Sequence, residues 1–335
     1  MALTISQGKN FIFVVEGESS VAVLGNDGQF LFRHPTDAKI CSLAADASDD
    51  VLAIALSSKL LLLAHVNAGS QSLDVVKSFP LERELVNLKI VEYEGHKCAM
   101  GCMAGDLVIV DLTTEPVVEE GEKPSHPILL GAIAALTATA FNEHYVLAGD
   151  RDGRIRVSDF PDAYQIRAFC LAHEEFISGL EFLDNEKFVA VDGGGSITKW
   201  NVNGELLLLK KIFKPTTIIR SIVNTPEGLV VITDENNKIT TLNKDTFEIL
   251  KQTEVQGPVV NLSFSPSCGL IVATGVGIFI NSTQITTINP PFDPKNYSLD
   301  SKRVEHKAIV HSGETGDVFE LWRNPEKAPG KMRNE

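Results

Sequence analysis

Positive charge is what this sequence most lacks. Lys and Arg number 30 against 44 Asp and Glu, for a formal net charge of −14 over 335 residues. That excludes nucleic-acid binding through a broad basic surface of its own, because phosphate neutralisation needs clustered Lys and Arg. A subunit whose partner brings the basic surface stays compatible with it. Cysteine is scarce too. Cys41, Cys98, Cys102, Cys170 and Cys268 are odd in number, scattered and mostly flanked by apolar residues, which suits reduced, buried thiols in an intracellular protein. Cys98 and Cys102, with His96 nearby, lack the second Cys pair of a structural zinc site, and KCAMGCMAG alternates as a strand does, so burial is expected there and no metal. MALTISQGKN has no basic region leading into an apolar core, so no secretory signal is expected. A membrane-crossing helix needs about 20 uninterrupted apolar residues. The most apolar stretch, VLAIALSSKLLLLAHV at 51–66, is broken by Ser57, Ser58 and Lys59 and reads as two strands and a turn, so no membrane is expected among the partners. Helical periodicity is missing as well.

What is there is a repeat. Apolar strand, small polar turn and second apolar strand recur as VAVLGNDGQFLFR, LAIALSSKLLLLA, CAMGCMAGDLVIVD, YVLAGDRDGRIRVSD, FVAVDGGGSITKWN, LVVITDENNKITTLN, LIVATGVGIFIN and AIVHSGETGDVFELW. The turns centre near Asp27, Ser58, Gly105, Gly153, Gly194, Asn236, Gly275 and Gly316. After the first pair, the spacing of about 40–48 residues is that of a four-stranded propeller blade. Asp-Gly, Gly-Asp and Asn-Asn provide the positive-φ positions of tight hairpins. Both strands of each hairpin are apolar, as expected where a neighbouring blade covers each face of the sheet. The first two turns lie too close for a full repeat. The sequence therefore predicts an all-β, seven-bladed WD-repeat propeller of six complete blades plus a composite one, closed by N- and C-terminal strands; eight blades stay open as the alternative. Repeats that touch only their neighbours cannot fold singly, so residues 1–323 are read as a single domain and 324–335 as a polar, disordered tail. DLTTEPVVEEGEKPSHP, 111–127, reads as an acidic exposed loop.

Chemistry-bearing motifs are absent. VDGGGSITKW, 191–200, imitates a Gly-rich nucleotide loop but runs on as a strand, where such a loop should open a helix. There is no P-loop, no nucleophile elbow and no metal-ligand spacing among the eight histidines. No catalytic residue, cofactor or metal is expected, and a propeller enzyme is the least favoured class. Lys210, Lys211, Lys214 and Arg220 form the densest basic cluster, a pattern more often solvated surface than a site.

One hairpin stands apart. GDRDGRIRVSDFP, 149–161, carries Arg154 and Arg156 opposite Ile155 and Val157, and ends Ser158-Asp159 where a WD repeat ends in Trp-Asp. FCLAHEEFIS follows, with His173 in the place of the repeat's structural histidine. The string D-R-D-x-[KR]-I-R-V-S, a proline, then F-C-L-x-H-x-E-F-[IV]-S closely resembles the WD-repeat, non-catalytic subunit of the eukaryotic tRNA (guanine-N7)-methyltransferase; residues 150–158, Pro161 and 169–178 carry it. The resemblance implies a propeller that binds the catalytic subunit side-on as a heterodimer and stabilises it, supporting N7-methylguanosine formation in the tRNA variable loop. It also implies that tRNA is met mainly through the complex, and that the chain resides in the nucleus, with the cytoplasm also open. A WD-repeat scaffold in another nuclear complex is the alternative.

Within that picture Arg156, supported by Arg154, is expected to reach an acidic patch on the partner, because the guanidinium fork binds a carboxylate through two bonds. Glu174, Glu175 and Phe176 are expected to extend the contact. Against this stands an internal role: Asp150, Asp152 and Asp159 are near enough in sequence to brace both arginines. His173 is expected to order the blade through a buried hydrogen bond.

Overall fold

The computed structural model describes residues 5–46, 51–103, 105–115, 124–131, 134–234, 237–266 and 268–281, and the backbone of 283–287. Among them every regular element is a strand, and the strands form seven four-stranded sheets. Each sheet takes four strands consecutive in sequence and pairs them antiparallel, giving blades at 5–35, 40–80, 85–130, 136–170, 177–211, 219–254 and 259–287. At six of the seven junctions among the described residues the first strand of a blade packs against the first strand of its neighbour, so first strands line the axis and fourth strands form the rim. The expected seven-bladed propeller is what the chain forms.

Continuous apolar runs are explained by burial on both faces. In the strand Lys187–Asp192, Phe188 and Ala190 enter the core shared with the fourth blade, whereas Val189 and Val191 enter the core shared with the sixth. All four are fully buried. Alternation therefore separates two cores here instead of core and solvent.

Two expectations are corrected. The hairpin VAVLGNDGQFLFR joins the third and fourth strands of the first blade (Ser20–Gly25 and Phe30–Pro35), not the second and third. The turn equivalent to Ser58 lies at 17–19, where Gly17 takes φ 66°. The first repeat is thus complete, and its apparent shortness came from matching unlike turns. For the same reason no composite sheet closes the ring among the described residues. Closure is by side-chain packing: one apolar cluster joins Ile5, Phe13, Leu24 and Ile40 of the first two blades to Val260, Ile271, Ile278 and Ile280 of the seventh. The hairpin 308–322, the turn at Asn236, the tail 324–335 and residues 116–123 of the acidic loop lie outside the described residues.

Cys98 and Cys102 lie on one strand, His96–Met103, in the core between the third and fourth blades. Four residues apart on an extended chain, their Cα atoms are separated by about 13 Å, too far to share a metal. Burial pushes the Cys98 thiol up to about 11, which disfavours the thiolate a metal would need.

Candidate docking site on the fourth and fifth blades

The turn after the strand Tyr145–Asp150 is built by Asp150. Its Oδ1 accepts the backbone amides of Asp152 and Arg154, both at 2.9 Å. Burial raises this carboxyl's pKa from its ordinary value, more than the two amides lower it. Gly153 takes φ 81°, and a Cβ there would lie 2.7 Å from the His173 carbonyl and 2.8 Å from that of Glu175. Only a residue without a side chain lets the turn lie against the connection between the two blades. Gly193 does the same for Phe176: an added Cβ would come within 2.1 Å of the ring. Two tight backbone approaches thus bring Arg154, Glu174, Glu175 and Phe176 to one end of the fourth and fifth blades.

The two arginines are not equivalent. Arg154 precedes the strand Ile155–Asp159, and its Nη2 donates to Asp152 Oδ2 at 2.9 Å while its side chain stays 42% exposed. Arg156 lies within the strand, on the face whose register partners are Ala148 and Val146, the face toward the third blade. Its Nε donates to Ser158 Oγ at 2.9 Å, its Nη2 to the Ala163 carbonyl at 2.7 Å and its Nη1 to the Gly131 carbonyl at 3.4 Å. Burial lowers its pKa from the ordinary arginine value, and it remains a cation. Arg156, expected to lead the partner contact with Arg154 in support, instead spends its nitrogens on Ser158, Gly131 and Ala163, and of the three aspartates of the competing internal reading one braces one arginine. Asp152 braces Arg154; Asp150 holds the turn; Asp159 accepts from Arg167 Nη1 at 3.1 Å, and Arg167 Nε also donates to Asn203 Oδ1 at 3.0 Å. Arg167 was not singled out in the sequence. Its only signal there is its place on the fourth strand, across from the Asp159 that ends the third.

Glu174 and Glu175 project into solvent, and Lys211 Nζ approaches Glu174 Oε2 at 3.3 Å. His173 turns inward. Its Nδ1 lies 2.7 Å from Asp192 Oδ2 and its Nε2 2.8 Å from Thr198 Oγ1, and Trp200 Nε1 donates to the same Thr198 oxygen at 2.7 Å. One proton assignment satisfies every donor: Trp200 donates to Thr198, the Thr198 hydroxyl to His173 Nε2, and His173 Nδ1–H to Asp192. Asp192 Oδ1 completes the network by accepting the amides of Ser196 and Gly194 at 2.8 and 2.9 Å. Burial alone would raise the Asp192 pKa, but the bond from His173 and the two amides outweigh it and hold the carboxyl below its ordinary value. His173 therefore orders the loop that presents Glu174 and Glu175. Asp192 and Thr198 are its partners and Trp200 bonds the same Thr198 oxygen; the S-I-T-K-W run was the available signal for Thr198 and Trp200.

Residues 111–213, which contain the whole site, match the tRNA methyltransferase TRM82 WD40 domain family. Curated relatives named tRNA (guanine-N(7)-)-methyltransferase non-catalytic subunit wuho are similar to the chain. The one from Culex quinquefasciatus is 31% identical over 52% of this chain and 42% of its own length. Those from Anopheles gambiae and Drosophila willistoni are 27% and 26% identical, covering 61% and 53% of this chain and 53% and 44% of their own. The chain thus spans about half the length of the curated relatives it matches. Among solved structures, the computationally designed Ika8 protein superposes with a TM-score of 0.60 at 16% identity, covering 84% of each chain, a likeness of fold alone. The similarity to WD-repeat non-catalytic subunits of this methyltransferase, read from the 150–178 string, is what the comparisons return.

Proposed function

We propose that this propeller is the non-catalytic subunit of a tRNA (guanine-N7)-methyltransferase, and that it binds and stabilises the catalytic subunit through the shared end of its fourth and fifth blades. The observation that carries the reading is the convergence, inside the matched segment 111–213, of an exposed guanidinium with two exposed carboxylates and an aromatic ring on a rigid frame. No side chain in the frame needs to do chemistry. Its role is to hold Arg154, Glu174, Glu175 and Phe176 in fixed relation, so that a partner pays little ordering entropy to meet them. Arg156 contributes from the adjoining face: its half-exposed guanidinium fastens the strand to the Gly131 and Ala163 carbonyls and adds positive potential toward an acidic partner surface. In this reading the partner holds the methyl-donor site and the basic surface, and tRNA is met mainly through the complex, as the chain's −14 charge favours. The complex would form in the nucleus, and in the cytoplasm where both subunits are present. The test is co-expression with a candidate catalytic subunit. Arg154→Glu combined with Glu175→Lys is expected to abolish co-purification while leaving the propeller folded; full retention would refute the assignment of the site.

A further inference from the structure

The rim of the fifth blade carries an exposed run that the proposed function does not use. Its outer strand, Leu206–Lys211, reads LLLLKK. Leu206, Leu207 and Leu209 are 42%, 41% and 44% exposed. Three exposed leucines in four consecutive positions are costly on a soluble surface unless something covers them. The strand is the last in its sheet, so among the described residues one side of its backbone has no strand partner. The Ile212 amide bonds inward to the Gly195 carbonyl at 3.0 Å, continuing the ladder of Lys211 with Ser196. By the period of two, the backbone groups of Leu209 and Lys211 face outward.

Beside this edge runs an open groove of about 380 Å³ between the fifth and sixth blades, lined by Leu207 and Leu208, by Lys187, Lys199 and Lys244, and by the carboxylates Asp184 and Asp245, so that cations outnumber anions by one. The three lysines come from three elements: the strand Lys187–Asp192, the strand Ser196–Asn201, and the turn at 243–248. Lys199 is held against the groove wall, 11% exposed, with its Nζ 3.1 Å from Asp245 Oδ1 and over the Phe247 ring at 5.8 Å. Lys187 meets Asp184 at 3.8 Å, both of them largely exposed. Lys210 and Lys211 add two more cations from the strand itself, Lys210 donating to the Thr246 carbonyl and Lys211 meeting Glu174, both at 3.3 Å. Lysines that merely blunt an edge sit on the edge strand; here three others converge on it from outside.

The geometry points to a docking site for an extended, acidic peptide segment of a partner protein. The segment adds a strand to Leu206–Lys211, sets apolar side chains on the leucines and directs its carboxylates to Lys187, Lys244 and Lys211. Backbone pairing at a free edge gives affinity, and alternate side chains give selectivity. Single-stranded RNA fits less well, because the exposed strand offers leucines where base stacking needs aromatic faces. The site touches the Arg154–Glu175 cluster only where Lys211 meets Glu174 at 3.3 Å, and it does not depend on that cluster's assignment.

The test is a random heptapeptide display library panned on the full chain and counter-selected on the Leu209→Asp/Lys244→Glu variant. The expected result is enrichment of peptides alternating acidic and apolar residues. A synthetic winner should lose at least ten-fold affinity on the variant and on N-methylation of its pairing amides, and should slow deuterium exchange at Leu209 and Lys211. Lys244→Glu alone, in an exposed turn, serves if the double variant unfolds. No enrichment, a basic consensus, unchanged affinity on the variants, displacement of the winner by a single-stranded RNA oligonucleotide, or a concentration-dependent dimer lost in the variant would each overturn the proposal. Co-purification of the methyltransferase subunit should be unaffected throughout, which separates this site from the one proposed above.

Discussion

A single hydroxyl, Thr198 Oγ1, connects Trp200 to His173 and so to Asp192. Replacing it with an isosteric methyl, Thr198→Val, leaves the indole N–H and the imidazole Nε2 without their buried partner. Leaving a buried polar group unmatched costs about 1–3 kcal/mol. The variant is expected to unfold in urea at a lower midpoint with an unchanged slope. The same network sets an acid limit. A carboxyl whose folded pKa is depressed contributes stability that is fully present above its unfolded pKa, near 4. That stability is lost as pH falls through the lower folded value of Asp192. At this scale the sequence was half legible. His173 and its structural role could be read from its place after the hairpin. The fate of Arg156 could not, because its oxygens at Gly131 and Ala163 belong to backbone brought near by connections whose path no side-chain pattern encodes.

Strands and turns were the most legible level. Hairpin turns at Ser58, Gly105, Gly153, Gly194 and Gly275 each fall between the second and third strands of a blade; positive φ is taken by Gly105, Gly153 and Gly195 in three of them and by Lys59 beside Ser58. Asp27 misled because it marks a different hairpin of the same blade. Gly17 carries the equivalent turn with the less conspicuous sequence EGESS. The strand His96–Met103 offers a test. Its thiols alternate with Ala99 and Gly101 and point with Met100 into one core. Cys98 is pushed up to about 11 by burial, and burial likewise pushes Cys41 and Cys170 up to about 12. A native-state titration with a thiol reagent at pH 8 should leave these three unmodified until denaturant is added. Rapid native labelling of Cys98 would contradict the packing described for that strand.

The whole molecule is a ring without a covalent or strand-exchanged clasp among its described residues. Among the described residues the first and last blades share one apolar cluster, and the closure draws on that packing. Ile278 is 1% exposed within the cluster that spans the first, second and seventh blades. Ile278→Ala should cost about 2–5 kcal/mol, the range for deleting a buried branched side chain. It should lower the single cooperative unfolding transition as a whole, seen by circular dichroism. A separate early transition of the seventh blade would show that the seam is not shared. The sequence showed the ring but not its seam, because clusters that join residues from opposite ends of a chain leave no local pattern.

The proposed docking of a catalytic methyltransferase subunit on the end of the fourth and fifth blades is open to direct measurement. The direct measurement is the Kd, by calorimetry, between the purified chain and the catalytic tRNA (guanine-N7)-methyltransferase subunit from the same source. Arg154→Glu/Glu175→Lys is to be compared with the wild type. Loss of desolvated charge pairs of about 2–5 kcal/mol predicts a Kd raised by at least about 30-fold. A wild-type chain that does not bind, or a variant that binds equally well, would contradict it.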